Sequence, residues 1–393
     1  MEKQKICIVG GGLTGLITAI ALSKLNLKID LVTGSTNRNI KTNRTIAISQ
    51  QNYNFLKELN FSNFSKKDFW PCSGMKLYTE SEENSFFEIF ELDKHKKQGK
   101  EILYMVENSK IINFMMSNIK KNKLISIKTK KKISGIIPSG TLKSLKFNND
   151  EDVAKYSLII ICAGNDSSLI KKIFKNEAFQ YSYEETAITS ILKHNSLQNN
   201  VARQIFLNNE IIAFLPISKT KTSIVWTVNK NIVNDLKKND LLLKNKIKFY
   251  AKDYLKNVKF ATNFEYKDLN FSIRKKYYQD RILLFGEALH VVHPLAGQGF
   301  NMTIRDLESL RKTLKSKIEL GLDIGTSDIL SEFSEKVKPE NFIYSFGIDF
   351  LKNCFSIKSK NLKKLRNNII LKLSKNNIVK DIFFNLANKG FKF

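Results

Sequence analysis

A predicted strand, a carboxylate and a glycine-opened helix follow one another in the last third of the chain. The apolar run at residues 281–285 predicts a strand, and Glu287 follows at its carboxyl end. After a loop that contains proline, Gly297, Gln298 and Gly299 open a predicted helix. Glycines at a helix start let backbone N–H groups approach a flat, electron-rich ligand, and the helix N-terminus adds positive potential. The pattern therefore indicates a binding site for a flat ring that carries negative charge.

A second glycine cluster lies near the N-terminus, between an apolar run and a helical pattern. Residues 6–9 predict a buried parallel strand, and residues 16–25 predict a helix with an apolar face. The turn between them contains Gly10, Gly11, Gly12, Leu13, Thr14 and Gly15. Such glycines allow a tight turn, the approach of a pyrophosphate and close packing of helix on strand. This fingerprint suits NAD, NADP and FAD alike, so by itself it predicts only a dinucleotide.

Together the two motifs, with residues 44–49 between them, resemble the class A flavoprotein aromatic hydroxylases. Within these, the chain is most similar to the ubiquinone-biosynthesis hydroxylases, which act on 2-polyprenylphenol or 2-polyprenyl-6-methoxyphenol. The resemblance runs in order through most of the chain and includes residues 104–108, 213–216, 223–227, 293–301, 347–351 and 365–367.

The resemblance implies an α/β fold like that of para-hydroxybenzoate hydroxylase. In that fold a Rossmann-like FAD/NAD(P)-binding domain carries an inserted substrate-domain β-sheet and a helical C-terminus. We expect the FAD-binding domain to be discontinuous, over residues 1–70, 100–175 and 265–330. The substrate domain is expected at residues 71–99 and 176–264, followed by a C-terminal helical segment at 331–393.

FAD is the cofactor that the resemblance implies, and the resemblance also implies which residues bind it. Arg44 is the strongest single candidate, because a chain that mostly uses lysine is expected to keep arginine where a planar, multi-donor group is needed. The cofactor-binding set is Gly10, Gly12, Leu13, Thr14, Gly15, Arg44, Glu287, Pro294, Gly297, Gln298, Gly299 and Asn301.

Four residues are candidates for substrate binding. His293 is expected in the loop over the reactive face of the flavin, and an imidazole that only packs the loop is the alternative. Phe214, Leu215 and Trp226 are candidate lining residues of an apolar pocket, with core packing as the alternative. No residue is assigned a catalytic role, because the difficult chemistry belongs to the cofactor.

The implied reaction is the hydroxylation of a prenylated phenol ring. NADPH or another reductant reduces FAD, O2 adds to give a flavin 4a-hydroperoxide, and an OH group passes to the phenol. The protein has to exclude water and hold the ring within reach.

Three positions depart from the family pattern. Thr33 ends the second predicted strand where the family has a ribose-binding carboxylate, and Asp30 lies at an odd offset, on the other face of that strand. Gly164 and Asn165 replace the family's Asp-Gly pair. Glu287 stands where an Asp is usual and is longer by one methylene.

Charge and hydropathy bear on partners and location. The net charge is +28, but the lysines are spread along the chain, and no aromatic-interleaved basic motif or zinc spacing accompanies them, so we predict no nucleic-acid partner and no metal. No apolar run reaches the roughly 18–20 residues of a spanning helix. We expect a soluble cytoplasmic protein with peripheral contact to the anionic surface of the inner membrane, and other quinone-biosynthesis proteins as partners.

Three rival functions stay open at this point. An NADP-dependent Rossmann dehydrogenase would explain Thr33, with Arg38 reading the 2′-phosphate. The fold also hosts flavoproteins that act on other aromatic or lipid substrates. Finally, the three departures suit a non-catalytic scaffold of a quinone-biosynthesis assembly.

Gly299→Val should prevent flavin uptake, because a branched side chain would stand where the ring has to approach the backbone. The measurement is the visible flavin absorbance of the purified protein, with Lys131→Gln as a variant that should change little. Wild-type flavin content in Gly299→Val would contradict this expectation.

Overall fold

The computed structural model describes residues 3–34, 42–60, 68–80, 85–93, 101–129, 133–147, 154–164, 167–175 and 177–390. Three residues named above, Arg38, Lys131 and Asn165, lie outside the described residues. Along the described chain, no helix is long and apolar enough to cross a bilayer.

The strands and helices alternate in the first half of the chain, and the last third is mainly helical. The strands are β1 Lys5–Val9, β2 Lys28–Thr33, β3 Thr45–Ser49, β4 Trp70–Cys72, β5 Gly74–Glu80, β6 Phe86–Asp93, β7 Leu103–Glu107, β8 Ile125–Thr129, β9 Ile133–Ser139, β10 Leu142–Phe147, β11 Lys155–Tyr156, β12 Leu158–Ile161, β13 Ala178–Lys193, β14 Val201–Phe206, β15 Ile211–Ser218, β16 Lys221–Asn229, β17 Lys259–Phe260, β18 Glu265–Arg274, β19 Tyr278–Gln279, β20 Ile282–Leu284 and β21 His290–Val291. The helices are α1 Leu13–Ser23, α2 Gln50–Glu58, α3 Asn108–Lys121, α4 Ser168–Phe174, α5 Lys230–Lys238, α6 Asp240–Ala251, α7 Gln298–Glu319, α8 Ser327–Phe355, α9 Lys360–Ser374 and α10 Asn377–Lys389.

A largely parallel sheet forms the first layer, in the order β19-β20-β12-β1-β2-β8. Only the pairing of β19 with β20 is antiparallel. The central strands are continuous apolar runs, and all four residues of β12 are buried. Such runs suit strands that are covered on both faces, as in a doubly wound α/β domain. The sequence therefore predicted this sheet from its strands and glycine turn.

A second sheet joins nine of the described strands, in the order β21-β18-β13-β16-β15-β14-β5-β6, with β17 beside β13. Strands β5 and β6 form an antiparallel hairpin, and β5 pairs in parallel with β14. One face of this sheet packs against α5 and α6 around Trp226 and Ile247. The α/β fold with an inserted β-sheet and C-terminal helices is thus confirmed.

Strand β18 corrects one expected boundary. Its residues were assigned to the FAD-binding segment that begins at 265, but β18 pairs with β13 from Ala178–Arg274 to Thr189–Glu265. Strand β18 therefore belongs to the inserted sheet, which β21 also joins by pairing with β18. Next to this sheet, α5 and α6 are separate helices, because the Asn239 side chain accepts from Leu242 N and starts α6.

Two helix glycines, one closely packed and one in open space, allow the effect of close packing on stability to be tested. A Cβ on Gly15 in α1 would lie 1.8 Å from the backbone oxygen of Gly10, whereas a Cβ on Gly347 in α8 would meet no atom within 4 Å. Gly15→Ala should therefore lower the thermal unfolding midpoint, at a cost of about 1–3 kcal/mol or more. Gly347→Ala should raise stability by about 0.5–1 kcal/mol, as alanine does in exposed helices.

The measurement is thermal unfolding followed by circular dichroism. If the two variants shifted the midpoint equally, helix propensity rather than contact with Gly10 would explain both.

Candidate cofactor and substrate site

A cleft of about 710 Å³ lies between the two sheets. Its floor is the glycine turn after β1 together with residues 162–164 after β12. Its opposite wall comes from the inserted sheet, with Ala187, Thr189 and Val225 and residues 265–270 of β18. In open α/β sheets ligands bind at the carboxyl ends of the parallel strands, and this cleft lies at that edge.

The three fingerprint glycines have different structural tasks. Gly10 has φ +124, a conformation that favours glycine, and its N–H donates to Val32 O at 2.9 Å. Gly15 lets α1 approach the turn, since any Cβ there would collide with Gly10. Gly12 lines the cleft, and a Cβ on it would meet no atom within 4 Å, so a side chain would occupy the ligand space.

The second motif is held directly against the first. Gly286 has φ +64, and a Cβ on it would lie 2.4 Å from Cγ2 of Thr14 in α1. Glu287 comes next and lines the cleft with an exposed side chain. The carboxylate at the end of β20 and the glycine turn therefore belong to one site.

Two helix N-termini are directed at this cleft. Helix α1 begins after Gly12 and α7 begins after Gly297, and neither cap residue supplies a side-chain hydrogen bond to the first turn. Backbone N–H groups of a first turn have no partner within their own helix, so they are available to an anionic ligand. Leu13 and Thr14 line the cleft on the first helix, as Gly299 and Phe300 do on the second.

Asn301 fixes the loop before α7 and is itself fully engaged. Its Nδ2 donates to Ala47 O at 2.9 Å and to Gly297 O at 3.1 Å. Its Oδ1 accepts from Ser49 N at 2.9 Å and from Asn52 Nδ2 at 2.8 Å. Asn301 is completely buried, so it positions the helix start without lining the cleft. Gly15 and Gln298 also do not line it.

Arg44 lies at the mouth of the cleft. Its Nε is 4.0 Å from Oε2 of Glu265, and its side chain is 44% exposed. The guanidinium is therefore placed both to form a loose surface ion pair and to meet a ligand in the cleft.

The residues present suit FAD, which needs anion-binding N–H groups and polar partners for its ribityl chain. Among the described residues, buried Oδ1 of Asn108 and Oγ1 of Thr45 have no hydrogen-bond partner, and both residues line the cleft. Thr33 lies against the turn, with Oγ1 2.2 Å from the Cβ position of Gly11. Asp30 is already bound to Lys5 and Tyr156, as its offset predicted.

A smaller cavity of about 100 Å³ adjoins the cleft. The two share Thr45, Val225 and Pro294 as lining residues, so these residues lie between them. The other lining residues are Ala47, Met75, Leu103, Met105, Ala202, Arg203, Gln204, Ala213, Leu215 and Gly297.

The substrate candidates divide between the two faces of the inserted sheet. Leu215 lines the small cavity. Phe214 and Trp226 are buried on the other face against α5 and α6, and Trp226 Nε1 donates to Glu210 Oε2 at 3.1 Å. Successive residues of a strand point to opposite faces, so neighbours 214 and 215 could not both line the cavity. The structure places Phe214 and Trp226 in the core instead.

His293 lies away from both cavities. It is buried, its Nε2 donates to Glu185 Oε2 at 3.2 Å, and its ring meets that of Tyr183 edge-on. Lys352 Nζ from α8 is 3.0 Å from the other oxygen of Glu185. Burial alone would raise the pKa of Glu185, but hydrogen bonds from His293 and Lys352 outweigh it and hold that pKa below its ordinary value. His293 thus joins the loop to the sheet and α8.

Most of the chain matches one known protein family. The family described as "FAD binding domain" matches residues 3–323. The chain belongs to this family of FAD-binding monooxygenases. FAD is therefore the cofactor, and the enzyme is an FAD-dependent monooxygenase.

Relatives of this flavoprotein include enzymes named for ubiquinone biosynthesis. It is 24% identical over 432 residues to "Ubiquinone biosynthesis monooxygenase COQ6, mitochondrial" of Dictyostelium discoideum, covering 92% of this chain and 86% of that protein. It is 31% identical to "Ubiquinone hydroxylase UbiL" of Rhodospirillum rubrum over 181 residues, which is 44% of this chain and 41% of that protein.

Solved structures share the fold at low sequence identity. The p-nitrophenol 4-monooxygenase PnpA from Pseudomonas putida superposes with a TM-score of 0.79, 13% identity and full coverage of both chains. Klebsiella pneumoniae HpxO with FAD and uric acid gives a TM-score of 0.78 at 12% identity, over 98% of this chain and 97% of that chain.

Several lining residues of the flavoprotein escaped sequence reasoning. Asn108 and Thr45 lie in or next to segments that the motifs covered, but nothing in their type marked them. Gln204 lies in β14, whose two polar residues, Arg203 and Gln204, are adjacent, so no alternation marked the amide as inward. The contribution of β18 could not be found, because its partner β13 is far away in sequence.

Asn301→Asp should destabilise the flavoprotein and weaken FAD binding. The change keeps the shape but removes the donor to Ala47 and Gly297, and each lost buried partner costs about 1–3 kcal/mol. Thermal unfolding and FAD titration by fluorescence measure the two effects. Asn231→Asp, at an exposed position, should stay within about 0.5 kcal/mol of wild type. Unchanged FAD affinity in Asn301→Asp would refute the positioning role.

Glu185 predicts a specific pH dependence of stability. Because its pKa is lower in the folded chain than in the unfolded one, its carboxylate stabilises the fold above its ordinary pKa of 4.5. That contribution is lost as pH falls through the lower, folded value. Glu185→Gln should therefore be less stable than wild type at neutral pH, with the difference shrinking below about pH 4.5.

The neighbouring Glu184→Gln is the control, since its side chain is mostly exposed. Unfolding midpoints of the three proteins across acid pH provide the test. A difference between Glu185→Gln and wild type that does not depend on pH would contradict the assignment.

Proposed function

We propose that this monooxygenase hydroxylates the ring of a polyprenylated phenol in ubiquinone biosynthesis, using FAD, O2 and NADPH or another reductant. The observation that carries the proposal is a small cavity with a buried amide, which shares three lining residues with the FAD cleft. The names of two relatives, COQ6 and UbiL, support the same pathway.

The small cavity suits an aromatic ring in size and lining. An apolar cavity of about 150 Å³ can hold benzene, so about 100 Å³ with mobile methionine walls is of the right order. Met75, Met105, Leu103 and Leu215 supply apolar contacts. A ring that enters this space would leave water behind, as oxygen transfer requires.

Gln204 supplies the polar contact that a phenol needs. Gln204 is buried and lines the cavity, and its Nε2 has no hydrogen-bond partner among the described residues. A buried amide donor without a partner is costly, and a phenol oxygen would satisfy it. We therefore assign Gln204 to hold the ring by its hydroxyl and so to select which carbon faces the cleft.

The remaining site residues hold and shield the cofactor. FAD, when bound, supplies the oxygen-transfer chemistry. Gly12, Leu13 and Thr14 would receive its pyrophosphate at the N-terminus of α1, and Glu287 would accept from its hydroxyl groups. Gly299 leaves space at the start of α7, since a Cβ there would meet only Val292 Cγ2, at 3.7 Å. Pro294 forms part of the wall between cofactor and ring.

The direct test is turnover of the FAD-loaded protein with NADPH, a short-chain prenylphenol and labelled O2. Mass spectrometry should show one labelled oxygen atom in the phenol ring. Peroxide release without oxygen transfer would favour a flavoprotein that acts on another aromatic compound. Flavin binding with neither outcome would favour the scaffold, and an unchanged quinone pool in a deletion strain would defeat the biosynthetic assignment.

Gln204→Leu should raise KM for the phenol about tenfold or more, because it removes the one amide in the cavity while keeping the size of the side chain. Steady-state hydroxylation and the ratio of peroxide to product measure the effect. Gln180→Leu, at an exposed position on β13, should behave as wild type. Identical kinetics in Gln204→Leu would remove Gln204 from the site.

A further inference from the structure

Helix α9 is unusual in that it has no buried residue along its whole length. In water, most of the stability of a helix in a protein comes from burying an apolar face. Helix α9 nevertheless carries an apolar face, made of Leu362, Leu365, Ile369 and Leu373. These residues follow one another at intervals of three, four and four, so they form one stripe along the helix. Each is between 39% and 56% exposed.

Helix α10 extends this apolar surface. Ile378 is 71% exposed, and Ile382, one helical turn later, is also exposed. We call the exposed residues Leu362, Leu365, Ile369, Leu373, Ile378 and Ile382 the C-terminal apolar face. An exposed apolar patch of this kind marks a binding surface.

The charge around this face is strongly positive. Between residues 358 and 389 the sequence has nine lysine or arginine residues and one acidic residue, Asp381. An apolar stripe flanked by lysines on an amphipathic helix suits the interface of a bilayer that contains anionic lipid. A second copy of the same surface would bring like charges together, which disfavours self-association through this face.

The inner side of the two helices packs on a hydrophobic cluster that also borders the small cavity. Ile370 of α9 and Phe384 of α10 pack on the cluster that includes Leu103 and Ala202. Leu103 and Ala202 line the small cavity. The same cluster therefore connects the two helices to the proposed ring site.

We infer that the C-terminal apolar face docks the enzyme onto an anionic bilayer, with α9 and α10 in the plane of the interface. The lysines contact lipid headgroups, and the apolar stripe enters the boundary with the acyl chains. If the proposed function is right, which this step assumes, the prenyl tail of the substrate stays in the membrane while its ring reaches the cavity behind Ile370 and Phe384.

The test is flotation of the FAD-loaded full-length protein with two kinds of vesicle. Vesicles of phosphatidylcholine with phosphatidylglycerol should carry the protein, whereas phosphatidylcholine alone should carry much less, and added salt should weaken the binding. Absence of binding to the anionic vesicles would overturn the inference.

Two pairs of variants assign the binding to this face. Leu365→Asn with Ile369→Asn should weaken binding about tenfold or more, since both side chains are exposed and contribute apolar area to the interface. Leu241→Asn with Leu320→Asn is the matched control, because these leucines are 69% and 71% exposed elsewhere on the molecule. Equal binding by the two double variants would overturn the assignment to α9.

A charge pair separates lipid attraction from apolar adhesion. Lys364→Gln with Lys372→Gln should weaken binding about fivefold for each lysine removed. Lys193→Gln with Lys219→Gln, at exposed positions of the inserted sheet, should have a smaller effect. Unfolding midpoints and flavin absorbance show that every variant is folded. If Leu365→Asn with Ile369→Asn left vesicle binding unchanged but altered the oligomeric state by light scattering, the face would be a protein interface and the inference wrong.

Activity distinguishes this inference from the proposed function. The Leu365→Asn, Ile369→Asn variant should keep wild-type turnover of a short-chain phenol in solution and lose turnover of a long-chain prenylphenol in vesicles. Membrane binding without hydroxylation of any phenol would defeat the proposed function and leave the docking surface standing. Hydroxylation without membrane binding would support the proposed function and overturn the docking surface.

Discussion

The architecture depends on two glycines at which the backbone lies so close to a neighbouring segment that no Cβ would fit. Gly15 brings α1 against the turn at Gly10, and Gly286 brings the end of β20 against Thr14. The first contact is local, and the second joins the end of β20 to the start of α1, in distant parts of the chain. Without them the N-terminus of α1 and the carboxylate of Glu287 would not border the same cleft. The dinucleotide site is therefore a consequence of steric constraints at two glycines.

Backbone N–H groups contribute positive potential to the cleft. Both α1 and α7 begin at glycines that supply no side-chain cap, so their first N–H groups stay available to a ligand. Asn301 fixes the start of α7 by engaging both atoms of its amide with the backbone around β3. Such an arrangement suits a cofactor whose own ring performs the chemistry.

The inserted sheet separates two functions through the alternation of its strands. Leu215 and Gln204 face the small cavity, whereas Phe214 and Trp226 face the helices that cover the other side. The cavity is thereby formed by short or flexible residues, and the bulky aromatic residues stabilise the layer behind it. The C-terminal helices pack on the cluster that borders this cavity, through Ile370 and Phe384.

The sequence predicted what depends on local stereochemistry. The glycine turn, the strand that ends at Glu287 and the helix after Gly297 follow from residue types at short spacing, and so did the cofactor through the family resemblance. The sequence did not predict contacts between distant segments. The assignment of His293 failed to anticipate Glu185, which reaches it from 108 residues away. Phe214 and Leu215 were both candidates for lining the substrate pocket. The sequence could not distinguish them, because which face of the strand meets the cavity depends on how the whole sheet is placed.

The most direct measurement is a crystal structure of the protein grown with saturating FAD. The account predicts the pyrophosphate at the N-terminus of α1, beside Gly12 and Thr14, and the flavin ring beside Pro294 and the N-terminus of α7. Electron density for FAD elsewhere, or a cleft without FAD under saturating cofactor, would contradict it.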